Sequence, residues 1–185
     1  MRVFGIDPGS KRTGYGCIET DGSRHRIVLC GAIATPPSPA TFADKLLDIH
    51  TRLTALIGES RPDCVAVENL FHAVNVRSAL KLGHARGVAM LAAVEAGVPV
   101  HEYTPAAIKR AVVGYGRAEK HQVQEMVKLM LGLPAVPSPH DAADALAVAI
   151  CHVHSETFAS MGRIASAMPA RSKATSWRTY KPARS

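Results

Sequence analysis

Apolar positions in the first part of the chain form continuous or alternating runs rather than a helical period. Residues 2–7, 13–20 and 26–34 form three such runs, and each is predicted to be a β-strand. Only short polar turns separate them, and connections of that length join antiparallel neighbours. The chain is therefore predicted to open with an antiparallel sheet.

Helical periodicity begins after the sequence TPPSPA and is interrupted by two further apolar runs. It predicts helices over 41–60, about 76–96, 105–112 and 118–131. The runs DCVAVENL and VPVHEY predict a fourth and a fifth strand, and a last helix starts within SPHDAADALAVAICHV. This order predicts an α/β fold: a five-stranded mixed sheet, three antiparallel strands then two parallel ones, with helices on both faces.

Positive charge is concentrated at the end of the chain. The 185 residues carry a net charge of +7, and +5 of it falls within residues 156–185, where six basic residues accompany Glu156 alone. That segment lacks apolar periodicity, so we predict a folded domain of residues 1–155 followed by a basic, disordered tail. The charge of the tail suits contacts with nucleic-acid phosphates, and solubility is the alternative explanation.

The cysteines and the hydropathy indicate a cytoplasmic protein. The four cysteines form no C-x-x-C pair and are typical of buried thiols in a reducing compartment. No signal peptide precedes the first strand, and no apolar run reaches the roughly 18 residues of a membrane helix. Cys151, His152 and His154 lie close together in sequence, but successive helical positions diverge, so no zinc site is predicted from them.

Four carboxylates stand in predominantly apolar segments, two at the ends of predicted strands and two on the last predicted helix. Asp7 and Glu68 each close an apolar strand, where ligand sites of α/β sheets collect, although both could also simply reach water. Asp141 and Asp144 share a face of the last helix. Asp141 has a structural alternative, since Ser138 and Asp141 fit an S-x-x-D capping box, whereas Asp144 lies past the first helical turn among alanines.

These four carboxylates are predicted to converge on one cleft. Ionised carboxylates share a cleft only when a cation neutralises them. Oxygen donors without a Cys or His set favour Mg²⁺ or Mn²⁺ over Zn²⁺. The residues therefore favour a divalent-cation site.

Five segments in unbroken order resemble the RuvC family of bacterial Holliday-junction resolvases. They are FGIDPGSKRTGYG, AVENLF, SALKLGHARGVA, VVGYGRAEKHQV and HDAADALAVAICH, and they cover about residues 1–154. The resemblance implies an RNase H-like fold and a homodimer that makes paired nicks across a four-way DNA junction, leaving 5′-phosphate and 3′-hydroxyl ends. It also implies two Mg²⁺ per active site, with Mn²⁺ as a substitute, and the branch-migration proteins RuvA and RuvB as partners.

The resemblance also implies roles for particular residues. The four catalytic, metal-binding positions of the family fall on Asp7, Glu68, Asp141 and Asp144. Some relatives carry a His where Asp141 stands, so His140 is a second candidate ligand, and the choice between them stays open. The aromatic residue that probes the junction core falls on Phe71, and two family lysines fall on Lys109 and Lys120. Surface charge adds three candidate phosphate contacts, which are Lys11, Arg12 and Arg77.

The helix over about 76–96 is the candidate dimer interface, because apolar residues occupy more than one of its faces. Leu80, Val88 and Leu91 are expected to pack on the sheet. The candidate interface residues are Leu82, Gly83, Gly87 and Met90. The two glycines are small enough to let a second helix approach closely.

Three other functions are weighed against junction resolution. An actin-like ATPase shares the GIDPGS start, but it needs a second domain and a second phosphate hairpin. A non-catalytic junction-binding protein has no need of the carboxylates. The main alternative is another RNase H-like nuclease that acts on RNA or other branched DNA, and it does not account for HDAADALA together with VVGYGRAEK.

Overall fold

The computed structural model of the chain describes residues 1–35, 39–69 and 75–167, with side chains described through residue 157. Its centre is a five-stranded sheet in the order β3-β2-β1-β4-β5. The strands are β1 (Arg2–Asp7), β2 (Arg12–Thr20), β3 (His25–Ala34), β4 (Cys64–Glu68) and β5 (Val100–Tyr103). The first three pair antiparallel, whereas β4 runs parallel to both β1 and β5. The predicted mixed sheet is confirmed.

Helices cover both faces of this sheet. They are α1 (Phe42–Ser60), α2 (Val76–Glu95), α3 (Pro105–Val113), α4 (Lys120–Met130) and α5 (His140–Ala167). Alternate residues of β1 and β4 face opposite ways, so the two faces build two cores. One core joins the sheet to α1 and α2, and the other joins it to α3, α4 and α5. Among the described residues, none of the helices has the length and apolarity that a membrane crossing requires.

The last helix extends further than the sequence pattern indicated. The predicted domain boundary at residue 155 falls inside α5, which continues to Ala167. Residues 156–167 are therefore helical where disorder was predicted, and residues 168–185 lie outside the described part of the chain. The start of α5 also differs from the prediction. The helix begins at His140 rather than after a Ser138 cap, and the Pro139 carbonyl accepts a hydrogen bond from the Ala142 N–H.

The orientation predicted for α2 is wrong for two of its three residues, whereas Val88 is half-buried against the sheet's core as predicted. Leu80 and Leu91 were expected to pack on the sheet, but they are 59% and 49% exposed. The buried face is instead a stripe of small residues, Ala85, Ala89, Ala92 and Ala93. Small side chains allow α2 to lie close to the rest of its core, so the larger leucines are left on the outer face.

Two glycines allow α5 to lie directly on the central strands. A Cβ on Gly5 in β1 would stand 2.0 Å from the Ala145 carbonyl oxygen, and one on Gly14 in β2 would stand 2.0 Å from the Asp141 carbonyl oxygen. Both obstacles are helix backbone, which cannot rotate away. This close approach places the acidic first turns of α5 beside the end of β1.

A Gly5→Ala substitution should therefore destabilise the fold. Because the added methyl group collides with helix backbone, we expect the free energy of unfolding to fall by about 3 kcal/mol. Urea denaturation followed by circular dichroism measures the loss. The matched control is Gly58→Ala on α1, where a Cβ meets no atom within 4 Å. That control should be neutral or stabilising by up to about 1 kcal/mol, and an equal loss in both variants would contradict the packing explanation.

Candidate active site

Two acidic side chains meet at one edge of the sheet because their strands are parallel neighbours. Asp7 ends β1 and Glu68 ends β4, and the pairing register sets Ile6 opposite Val67 just before them. Helix α5 contributes Asp144 from the covering layer. The three carboxylates line a cleft of about 320 Å³ together with Lys109, Lys120, Pro105, Ile108, Val123 and Ala147. The structure thus brings together three of the four predicted acidic residues.

Burial makes this cleft costly for negative charge. Desolvation, followed by the charge and hydrogen bond of Glu68, raises the pKa of Asp7. Desolvation also raises the pKa of Glu68, and the charge of Asp144 adds to that effect. Because the two carboxyl groups are close enough to share a hydrogen bond, they retain a proton between them unless a cation replaces it.

Two residues of α4 hold Asp144. Its Oδ2 lies 2.6 Å from Lys120 Nζ, and its Oδ1 accepts a hydrogen bond of 3.3 Å from Gln124 Nε2. Gln124 is only 6% exposed, and it is not among the site residues that the sequence pattern predicts. The only signal for it was a polar side chain on the apolar stripe of an amphipathic helix, which a single sequence does not distinguish from a surface residue.

The ammonium group of Lys120 interacts with the carboxylates of the cleft. Burial by itself would lower the pKa of Lys120, but the hydrogen bond and charge of Asp144, with the charges of Asp7 and Asp141, raise it. Lys120 is therefore a cation at neutral pH. It is placed to offset negative charge in the cleft.

Asp141 lies beside the cleft rather than in its lining. Its Oδ2 is 3.4 Å from Arg12 Nη1, in a partly exposed ion pair that joins the start of α5 to β2. Its charge nevertheless reaches Lys120. His140 precedes it as an exposed residue at the first position of the helix.

The other predicted DNA contacts have different surroundings. Lys109 lines the cleft, and Lys11 and Arg77 are exposed. Phe71 lies outside the described residues.

The donor chemistry of the cleft fits a divalent cation such as Mg²⁺. The available ligand atoms are carboxylate oxygens, which hard cations prefer. Asp144 Oδ2 is buried and, within the described residues, has the ion pair with Lys120 but no hydrogen bond of good angular geometry. An oxygen in that state, next to a protonated carboxyl pair, is what an incoming cation would stabilise.

Fold and site together define a class of protein. A mixed five-stranded sheet with carboxylates at the ends of its adjacent strands β1 and β4 is the arrangement of the RNase H-like nucleases.

Comparison with known proteins identifies the family within that class. The family model described as crossover junction endodeoxyribonuclease RuvC matches residues 3–152. A protein of that name from Pelobacter propionicus is 54% identical over 98% of this chain and 100% of its own length. One from Citrifermentans bemidjiense is 56% identical over 84% of this chain and 93% of its own length. The chain belongs to the RuvC family.

A solved structure agrees in both fold and sequence. Thermus thermophilus RuvC in complex with a Holliday junction substrate has a TM-score of 0.80 and 38% identity, covering 88% of this chain and 96% of that one. The predicted RNase H-like fold is therefore confirmed.

Proposed function

We propose that this protein is a structure-specific endonuclease that resolves Holliday junctions by paired, symmetric, metal-dependent nicks. The observation that carries the proposal is the cleft in which Asp7, Glu68 and Asp144 lie beside Lys109 and Lys120. Carboxylates supply metal ligands there, and the lysines supply positive charge for a phosphodiester. Family membership supports the choice of a four-way junction as the substrate.

The acidic residues would hold two Mg²⁺ ions, and Mn²⁺ would serve in their place. Asp7 is the candidate shared ligand because it ends a central strand between the other carboxylates. Glu68 and Asp141 would each complete one ion's ligand set, with Asp144 on the side of Glu68. When bound, such ions supply an activated water and stabilise the 3′ oxygen that leaves, which yields 5′-phosphate and 3′-hydroxyl ends.

The ion pair between Arg12 and Asp141 would link DNA binding to metal binding. Arg12 is exposed, so DNA phosphate can take over its guanidinium and free Asp141 for metal. Lys120 and Lys109 would stabilise the charge that develops on the scissile phosphate.

Phosphate contacts and a stacking contact would hold the junction. Lys11 and Arg77 are exposed and suited to phosphates. We assign Phe71 to stacking at the opened junction core, a contact worth about 1–3 kcal/mol.

Loss of the Phe71 ring should slow cleavage more than it weakens binding. We expect Phe71→Ala to cut an intact junction about 10-fold or more slowly, because the stacking energy is lost while the phosphate contacts remain. A junction with unpaired bases at its centre should partly rescue the variant. Nicking rates and binding are measured on both substrates, and equal defects on the two would contradict the stacking role.

The assembly we propose is a homodimer formed through the outer face of α2. That face carries a shallow apolar groove that includes Leu80, Gly83, Gly87, Val88 and Leu91. Of the four interface residues that the sequence predicts, Gly83 and Gly87 lie in the groove, while Leu82 and Met90 are half-buried within the subunit. We therefore replace the latter two by Leu80 and Leu91.

The wider setting of the protein follows from the proposed reaction. RuvA and RuvB would deliver the junction by branch migration. A role in recombination and repair places the protein in the bacterial cytoplasm, where the chromosome lies.

A substrate panel tests the proposed function. The full chain is incubated with Mg²⁺ and equal amounts of a four-way junction, a linear duplex and an RNA–DNA hybrid. We expect rapid nicking of the junction alone, abolished by EDTA and restored by Mg²⁺ or Mn²⁺. Equal or preferred cleavage of the hybrid would instead assign the protein to the other RNase H-like nucleases.

A further inference from the structure

A second group of metal-binding side chains lies on the α5 face of the sheet. Cys64 at the start of β4, His101 in β5 and His152 in α5 each present a ligand atom, and these atoms all lie within 4.8 Å of one another. Cys64 and His152 are buried, and His101 is half-buried at the edge strand. The three residues are far apart in sequence, so only the fold brings them together.

The sheet register explains the arrangement. Cys64 and Ala66 point to the same face of β4, and His101 of β5 is paired with Ala66. Both side chains therefore face α5, where His152 lies in the layer above them. The imidazoles of His101 and His152 are in contact, with ring centroids 4.5 Å apart.

A neighbouring residue fixes the orientation of His152. Its Nδ1 is hydrogen-bonded to the Tyr103 hydroxyl at 2.8 Å, which leaves Nε2 as the nitrogen available to a ligand. Metal-binding histidines usually carry such a partner on the ring nitrogen that does not bind the metal.

We propose that Cys64, His101 and His152 form a Zn²⁺ site that joins the edge strand β5 to α5. One thiolate and two imidazoles are a ligand set that Zn²⁺ favours and Mg²⁺ does not. In a tetrahedral zinc site one thiolate sulfur and two imidazole nitrogens stand about 3.3–3.6 Å apart. Ligand atoms that lie within 4.8 Å of one another therefore reach that geometry by an approach of at most about 1.5 Å. Water or the carboxylate of Glu156, one helical turn after His152, completes the ligand set.

The zinc site is separate from the proposed catalytic cleft. Cys64 and Glu68 stand at opposite ends of β4, about 13 Å apart along the strand. The ligands also differ in kind, since the cleft offers oxygen donors to Mg²⁺. Binding at the zinc site requires the Cys64 thiol to release its proton to solvent.

Cobalt spectroscopy of the full chain tests this site without measuring cleavage. The protein is stripped with EDTA, transferred to buffer with saturating Mg²⁺ to occupy the carboxylate cleft, and titrated with Co²⁺. We expect one equivalent to produce the near-ultraviolet charge-transfer absorption of a thiolate-bound cobalt, and Zn²⁺ to abolish it. Cys64→Ser should remove the absorption. His101→Asn, a change at the edge strand that keeps the thiol, should weaken Co²⁺ binding at least about 10-fold.

Further variants test whether the cobalt signal is specific to the proposed ligands. Cys17→Ser changes another buried cysteine, which lies on the opposite face of the sheet, and His50→Asn changes another half-buried histidine. Both should keep the absorption and the affinity. A Tyr103→Phe variant should bind about 10-fold more weakly, because His152 loses its partner. Absence of the thiolate absorption in the parent protein, or its survival in Cys64→Ser, would overturn the proposal and leave the proposed nuclease function untouched.

Discussion

Asp7→Asn should abolish Mg²⁺-dependent nicking of a four-way junction while junction binding is retained or tightened. Asn keeps the shape of the side chain but removes the charge that the proposed ions require. We expect the rate to fall by a factor on the order of 10³ or more, a loss of about 4 kcal/mol of transition-state stabilisation. Binding, measured in Ca²⁺ or without metal, should not weaken, because a negative charge beside the DNA phosphates is removed.

The folding of this variant is checked separately. Burial and Glu68 raise the pKa of Asp7. Folding without metal at neutral pH therefore requires protonation of a carboxyl group that is ionised in the unfolded chain, and this cost destabilises the metal-free fold. A neutral Asn removes that cost, and the melting temperature in EDTA should equal or exceed that of the parent. Asp48→Asn on α1 removes a carboxylate charge far from the cleft and should nick normally. Cleavage by Asp7→Asn near the parent rate would refute its role as a metal ligand.

The second large effect is expected from Gly87→Glu at the proposed dimer interface. A Cβ on Gly87 meets no atom within 4 Å of its own subunit, so the substitution should leave the subunit fold intact. It places a carboxylate in the apolar groove of α2, where burial against a second copy is costly. We expect the parent to be a dimer of about 40 kDa, built from subunits of 19.7 kDa, and the variant to be a monomer.

Light scattering measures the oligomeric state of the variant, and a junction assay measures whether its two cuts are coordinated. The monomer should nick single strands but rarely resolve a junction, since the two cuts lose their coordination. Gly58→Glu, which adds the same charge at an equally open helical position of α1, should remain dimeric and active. A parent protein that is monomeric at micromolar concentration and still makes coordinated double cuts would contradict the interface.

Much of the fold could be predicted because local patterns and global packing agree. The strands β1 to β5 follow apolar runs bounded by turns, and the structure starts β2 and β3 only one residue before the prediction. The orientation of α2 could not be predicted, because both of its faces carry apolar residues. Ala89 and the other buried alanines of α2 pack inward as a narrow stripe. Hydrophobicity alone would instead place the larger Leu80 and Leu91 on the buried face, and both are exposed.

The site residues that could be predicted are those whose charge is unusual in an otherwise apolar segment. Asp7 and Glu68 follow apolar strands, and Asp144 interrupts an alanine-rich helix, so each is anomalous in its own segment. Gln124 could not be found this way, because its role depends on how α4 meets α5. Cys64, His101 and His152 were equally hidden, since each fits an ordinary apolar segment and only the sheet register and α5 bring them together.

Mapping both cut sites on one synthetic four-way junction is the most direct test of the proposed reaction. With Mg²⁺ and the full chain, we predict nicks in two strands of like polarity at symmetry-related phosphates. Each nick should carry a 5′-phosphate and a 3′-hydroxyl, so that DNA ligase seals the products. Nicks at unrelated positions, or ends that ligase cannot seal, would contradict a two-fold symmetric, metal-dependent resolvase.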